Sequence, residues 1–354
     1  GINDWYETVK INYGDSHTGT WDKMLDILLY WAGKGVDGFR CDMVELVPPE
    51  FMKWLIAEVK KNYPDVIFIA EVYKKELYGE YVREVGFDFL YDKSGLYDTL
   101  RTIVEKNASD DGMPVELWQS TTGITRNWQF LGDLQPYMLN FLENHDEQRF
   151  ASDFFGKKAE DTMAALSISL LLNTAPFMIY FGEEAGERGM DAEGFSGMDG
   201  RSTIFDYWGI KSLQAWSNHG KFDGAGLDEE QSTLRLFYRN LLRLSRTEKA
   251  ITHGEMYDLE YAQGEGFNKH EQYAYIRKYK QQIILVILNF DDRQRDISVR
   301  IPQEAFAHLQ QPEYAMVQAT DLLTGTEYTF PFSAHTPVCL TLPAWKGVIL
   351  KIKN

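Results

Sequence analysis

Residues 35–43 read GVDGFRCDM, a short apolar run that carries an arginine and an aspartate two positions apart. Helical patterns flank it. In TWDKMLDILLYWAGKG (20–35) the apolar residues 24, 25, 27, 28 and 31 share one helical face, and Gly35 is a natural stop. In PPEFMKWLIAEVKKNYP (48–64) the prolines suit a helix start and Pro64 forbids continuation. A strand between two helices is the rhythm of parallel βα units. The theme recurs in VIFIAEVY (66–73), FDFLYD (87–92), YMLNFLENHD (137–146) and APFMIYFGEE (175–184), with helical segments such as KKAEDTMAALSISLLL (157–172) among them. Five successive parallel strands are expected.

After the helical STLRLFYRNLLRLSRTEKA (232–250) the texture changes. EQYAYIRKYKQQIILVILNF, RDISVRIP, ATDLLTGTEYTF and GVILKIKN are β-rich and separated by turns. This divides the chain into an α/β part, residues 1–252, and a small antiparallel β domain, residues 253–354.

With 354 residues, 44% of them hydrophobic, the chain can bury a large core. Its formal net charge of -17 would repel phosphate backbones and anionic lipid surfaces, so a nucleic-acid partner is not expected and a neutral or cationic ligand fits better. Cys41 and Cys339 are far apart and have no metal-ligand spacing, which leaves the redox compartment and the cellular location open. The most apolar run, LSISLLLNTAPFMIYF, is interrupted by polar residues and falls short of the roughly 20 residues that a membrane-spanning helix needs.

On a strand, residues 40 and 42 point to one face, so Arg40 can hold Asp42 ionised and oriented. A structural ion pair at a strand end is the plain alternative, and position decides between them. VIFIAEVY ends its apolar run on Glu71, and NFLENHDEQR ends another on Glu143, His145 and Asp146. Three strands with acids at their C-terminal ends match the face on which parallel α/β barrels build active sites. One carboxylate kept ionised and another kept protonated is the requirement of a retaining glycosidase, whose two carboxyl groups stand about 5–5.5 Å apart. Asp42 suits the nucleophile. Glu71, with no basic neighbour in sequence, suits the general acid, and Asp146 suits a third acid that binds sugar hydroxyls.

GFRCDMVEL, IAEVY and FLENHDEQR together resemble three signature regions of the α-amylase family of glycoside hydrolases. The resemblance implies a catalytic (β/α)8 barrel followed by a C-terminal β-sandwich. It implies Asp42 as nucleophile, Glu71 as acid/base, Asp146 as transition-state stabiliser, and Arg40, His145, Glu45 and Tyr73 around the substrate. It also implies a retaining hydrolase acting on α-1,4 bonds of starch or malto-oligosaccharides. A glucanotransferase or trehalose-synthase-like isomerase of the same family is an alternative, as is a non-catalytic amylase-like binding protein.

Two departures qualify the resemblance. The strand bearing Asp42 corresponds to barrel strand four, and the residues before it have room for about one βα unit of roughly 30 residues. The expected architecture is therefore a partial TIM barrel, strands four to eight, whose N-terminal part is supplied elsewhere in the same protein. Secondly, many family members have a Lys-His pair at the third and fourth positions after the nucleophile, where this chain has Glu45 and Leu46. No cofactor is then required, and calcium at that position is doubtful. ETVKINYGD lacks the QPDLN pattern of many α-1,6-cutting enzymes, which favours α-1,4 chemistry.

Tyr73, Tyr180, Phe181, Tyr207 and Trp208 are candidate sugar-stacking rings, with core packing as the alternative. The remaining histidines, 17, 219, 253, 270, 308 and 335, lack metal spacing. Cys41 is expected to face away from Arg40 and Asp42 as a small core residue.

Overall fold

The computed structural model describes residues 9–14, 16–106, 119–191, 198–206 and 209–353. Their packing divides into two compact units, one comprising Gly1–Ser94 with Tyr137–Leu139 and the other Gly95–Pro136 with Asn140–Asn354.

In the first unit, helix α1 (Gly19–Ala32) leads to strand β1 (Gly38–Cys41), helix α2 (Pro49–Asn62), strand β2 (Ile67–Ala70) and strand β3 (Phe89–Tyr91). The strands pair in parallel in that order, and β3 pairs in parallel with the start of β4 (Met138–Phe141) through Leu90↔Met138 and Tyr91↔Leu139. Gly38 is required where β1 meets β2, because a Cβ there would lie 2.5 Å from the Ile67 backbone oxygen. α2 begins on its proline and buries Phe51, Met52, Leu55, Ile56 and Val59, spaced three and four apart. Burying each such side chain stabilises the fold by about 1.5–3 kcal/mol relative to exposure. α1 departs from its expected pattern. It buries only Trp21 and Ala32, while Ile27, Tyr30 and Trp31 are exposed, because among the described residues of this unit nothing covers that side of the helix.

In the second unit the remainder of β4 pairs in parallel with β5 (Phe177–Met178), shorter than the apolar run around it. Helix α5 (Met163–Leu171), which comes after α3 (Asp98–Glu105) and α4 (Thr122–Leu131), is buried on every side. Helix α6 (Glu229–Thr247) starts at a reciprocal cap between Asp228 and Gln231 and buries Leu234, Tyr238, Leu241 and Leu244.

The C-terminal strands form a six-stranded antiparallel sheet in the order β11-β10-β13-β8-β7-β6 and a two-stranded sheet β12-β9. Their bounds are β6 Glu255–Asp258, β7 Gln272–Tyr279, β8 Gln282–Asn289, β9 Arg295–Val299, β10 Tyr314–Asp321, β11 Glu327–Phe332, β12 Val338–Leu342 and β13 Gly347–Ile352. The two sheets share one apolar core that includes Ile276, Leu285, Ile297, Val317, Phe330 and Leu342. Among the described residues no helix is long and apolar enough to cross a membrane.

Candidate active site

Cys41 pairs with Ala70, and Glu71 N–H continues the ladder to the Cys41 carbonyl at 3.0 Å. This register sets Asp42 and Glu71 side by side, each one residue past the C-terminal end of its strand. Arg40 joins them: Nη1 donates to Asp42 Oδ1, and Nη2 lies 2.8 Å from Glu71 Oε1, an ion-pair distance without hydrogen-bond alignment. The guanidinium also packs against the Tyr91 ring, 5.6 Å from its centroid. Burial lowers the Arg40 pKa, but the hydrogen bond with Asp42 and the charge of Glu71 together raise it above the ordinary value, so the cation is firmly held.

The two acids sit in unlike surroundings. The Asp42 side chain is 70% exposed, whereas that of Glu71 is 1% exposed. Glu71 Oε2 accepts the Met43 N–H at 2.9 Å, and Oε1 accepts the Tyr73 hydroxyl at 2.9 Å. Met43 reaches that position by adopting a left-handed backbone, φ 41°, which is uncommon for a residue with a Cβ and stores strain beside the two carboxylates. The basic neighbour that Glu71 lacks in sequence is thus supplied in space by β1.

Glu45 links the turn after β1 to the segment after β2. Its Oε2 accepts the N–H groups of Tyr73 and Lys74 at 3.2 and 3.1 Å. Leu46 offers no side-chain donor atom, and Glu45 Oε2 is engaged by those two N–H groups. Among the described residues no group of three or more His, Cys, Asp or Glu side chains converges to hold a metal ion. Cys41 is partly buried, and burial pushes its thiol up to about 12, which makes it a poor nucleophile.

In the second unit, β4 delivers Glu143, Asn144, His145 and Asp146. Asn144 Oδ1 accepts the N–H groups of Asp146 and Glu147 at 2.8 and 2.9 Å, a side-chain-closed turn that fixes the Asp146 backbone. His145 Nε2 lies 3.2 Å from Asp146 Oδ2, and both side chains are about half exposed. Glu143 is fully buried against Arg149. Tyr180 and Phe181, both partly buried, pack on the Arg149 guanidinium, with centroid distances of 4.3 and 5.2 Å. Tyr207 and Trp208 lie outside the described residues.

Sequence reasoning misses Arg149, Glu183 and Glu187, which form a buried charged cluster with Glu143. The available signal was the acid pair ending the apolar run APFMIYFGEE, the same pattern that marks Glu71.

The family model for the alpha-amylase catalytic domain matches residues 9–206, more than half of the chain. Among curated proteins, the chain is 27% identical over 270 residues to alpha-amylase 3 of Dictyoglomus thermophilum, covering 71% of this chain and 50% of that protein. It is 32% identical over 88 residues to the alpha-1,4-glucan:maltose-1-phosphate maltosyltransferase of Picrophilus torridus, covering 25% of this chain and 14% of that one. The chain thus spans half or less of the length of these two relatives. A solved alpha-amylase from Geobacillus thermoleovorans, complexed with acarbose, superposes with a TM-score of 0.65 at 16% identity over 94% of this chain and 64% of that chain, a likeness of fold. The family-model match across residues 9–206, which include the turns that carry Asp42, Glu71 and Asp146, places this chain in the α-amylase family of glycoside hydrolases.

Proposed function

We propose that this chain carries the catalytic carboxylates of a retaining α-glucan hydrolase that cleaves α-1,4 bonds in starch or malto-oligosaccharides. The observation that carries the reading is the pairing of Asp42 and Glu71 at adjacent parallel strand ends, bridged by one guanidinium. Asp42, exposed and paired with Arg40, attacks the anomeric carbon while Glu71 protonates the departing glycosidic oxygen. The bond to the leaving sugar breaks as the bond to Asp42 forms. Glu71, now a carboxylate, takes a proton from water, whose oxygen displaces Asp42 with net retention. Asp146 binds substrate hydroxyls and strengthens that hold as positive charge develops on the ring. Arg40 and His145 support these acids, and Glu45 and Tyr73 shape the segment beside Glu71.

In the same reading, residues 1–252 form the barrel part, with β1 to β5 as strands four to eight of the family's (β/α)8 barrel, and residues 253–354 form the β-sandwich domain. The change from parallel pairing through β5 to antiparallel pairing from β6 onward supports this division.

Transfer to a sugar acceptor uses the same covalent intermediate, and the maltosyltransferase relative supports it as a second reading. Incubation of the whole protein with maltoheptaose tests both: chains that only shorten mark a hydrolase, and chains that also lengthen mark a transferase. The configuration of the first product, followed by proton NMR, tests retention. Asp42→Asn and Glu71→Gln should each abolish turnover, and unchanged turnover in either would refute its assignment. A binding protein without catalysis would show no turnover in the parent protein.

A further inference from the structure

The segment that follows β4 is closed on itself by buried charge. Glu143 accepts Arg149 Nη1 at 2.6 Å and the Phe150 N–H at 2.8 Å, and both side chains of the ion pair are fully buried. Asn144, His145 and Asp146 lie inside the loop so formed. Its outer limb is anchored too: Glu147 accepts Arg101 at 2.9 Å and the Tyr97 hydroxyl at 3.1 Å.

Arg149 is held from behind by the segment after β5. Its Nε donates to Ser202 Oγ at 3.1 Å, and Ser202 donates onward to Glu187 at 3.1 Å. Glu187 also accepts the Gly189 N–H at 2.8 Å and the Ser212 hydroxyl at 2.5 Å. Glu183 accepts the Tyr238 hydroxyl at 2.5 Å and the Tyr180 N–H at 2.9 Å. The titratable groups facing Glu143 are therefore Arg149 on its own loop, Glu183, Glu187 and Tyr180 from the segment after β5, and Tyr238 from α6.

The cluster holds three buried carboxylates, Glu143, Glu183 and Glu187, and one buried guanidinium. Three full negative charges against one positive charge in a dry interior carry a large desolvation cost, so the cluster retains protons. Burial pushes Glu143 up to about 7 against the opposing pull of Arg149, and burial together with the charge of Glu143 pushes Glu183 well above the ordinary carboxylate range.

We infer that Arg149 is a positioning residue for Asp146, and that loss of a proton from the Glu143 and Glu183 pair loosens this loop and sets the alkaline limb of activity. The inference rests on the proposed role of Asp146. With Glu187 also in the cluster, each proton that the Glu143 and Glu183 pair loses adds a buried negative charge that the single Arg149 guanidinium does not balance, and the growing excess behind the loop costs Asp146 its fixed placement. Arg149 touches no substrate in this scheme and acts only through the backbone that carries Asp146.

The test is kcat and KM on maltoheptaose from about pH 5 to about pH 9 for the whole protein and for Arg149→Lys, Glu183→Gln and Asp146→Asn. Arg149→Lys keeps the charge and loses the fork, and it should lower kcat roughly 10- to 100-fold with KM nearly unchanged, the scale of a small misplacement. Glu183→Gln cannot ionise, and it should move the alkaline limb upward in pH. Wild-type kcat in Arg149→Lys, or a Glu183→Gln profile that superposes on the parent profile, overturns the inference. If Arg149→Lys does not fold, the Glu183→Gln limb decides. Asp146→Asn separates the two levels. Full activity in Asp146→Asn refutes the catalytic reading of Asp146 and the inference with it, whereas an inactive Asp146→Asn beside unaltered Arg149→Lys and Glu183→Gln refutes the positioning inference alone.

Discussion

Arg40 Nη2 stands 2.8 Å from Glu71 Oε1 while Nη1 of the same guanidinium donates to Asp42. One cation therefore serves two carboxylates of very different exposure. The pair is not interchangeable: Asp42 has water to solvate it, and Glu71 depends on Arg40, Met43 and Tyr73 for its partners.

Arg40→Met should consequently damage Glu71 more than Asp42. Removing the cation leaves the buried Glu71 carboxyl group with two donors, the Met43 N–H and the Tyr73 hydroxyl, and the expected loss of stability is about 1.5–3 kcal/mol. Chemical denaturation would measure it, and kcat on maltoheptaose should fall together with stability. A variant as stable as the parent would show that Glu71 does not need the cation.

How much of this arrangement is legible in the sequence depends on how local its causes are. The strands around Arg40, Ile69, Leu90 and Asn140 announce themselves through short apolar runs between helical patterns, and acids closing those runs mark the strand ends. Arg149 does not announce itself, because its partners Glu183, Glu187 and Ser202 lie on a segment brought alongside by the fold. The α1 face is a failure of another kind. Periodicity reports that Ile27, Tyr30 and Trp31 are apolar, and it cannot report whether anything covers them. Strand β12 is missed because a five-residue alternation beside Pro337 is too short to stand out.

Tyr73→Phe isolates one hydrogen bond to Glu71 with little change in shape. Loss of the hydroxyl, 2.9 Å from Oε1, should cost about 1 kcal/mol of stability, since one donor to the buried carboxyl group is gone. A urea-denaturation midpoint identical to that of the parent protein would show that the hydroxyl leaves Glu71 unaffected.

Arg277 offers a test of the second unit that does not involve the candidate site. It is 1% exposed, and its guanidinium donates to the carbonyls of Ala250, Leu172, Ile251 and Gly254 at 2.6–3.0 Å. Burial lowers its pKa to about 10, so the charge persists at neutral pH and is balanced by backbone dipoles. Arg277→Met strands several carbonyls at once and should destabilise by about 3 kcal/mol or more. Thermal unfolding would show it as a lowered Tm, and a Tm within a degree of the parent would contradict the cage.

Stability should also respond to pH through Glu143. Its carboxyl is pushed from the ordinary 4.5 to about 7, by burial first and against the attraction of Arg149. Between those values the folded protein binds more protons than the unfolded chain. The slope of unfolding free energy with pH is then negative, so the contribution is fully present below about pH 4.5 and is lost as pH rises through about 7. Glu143→Gln keeps the shape and cannot ionise. Urea denaturation of both proteins across that window should show the parent losing stability relative to Glu143→Gln as pH increases, because only the parent must bury a new charge. A constant difference between the two proteins over the window would mean that Glu143 is ionised throughout, held so by Arg149.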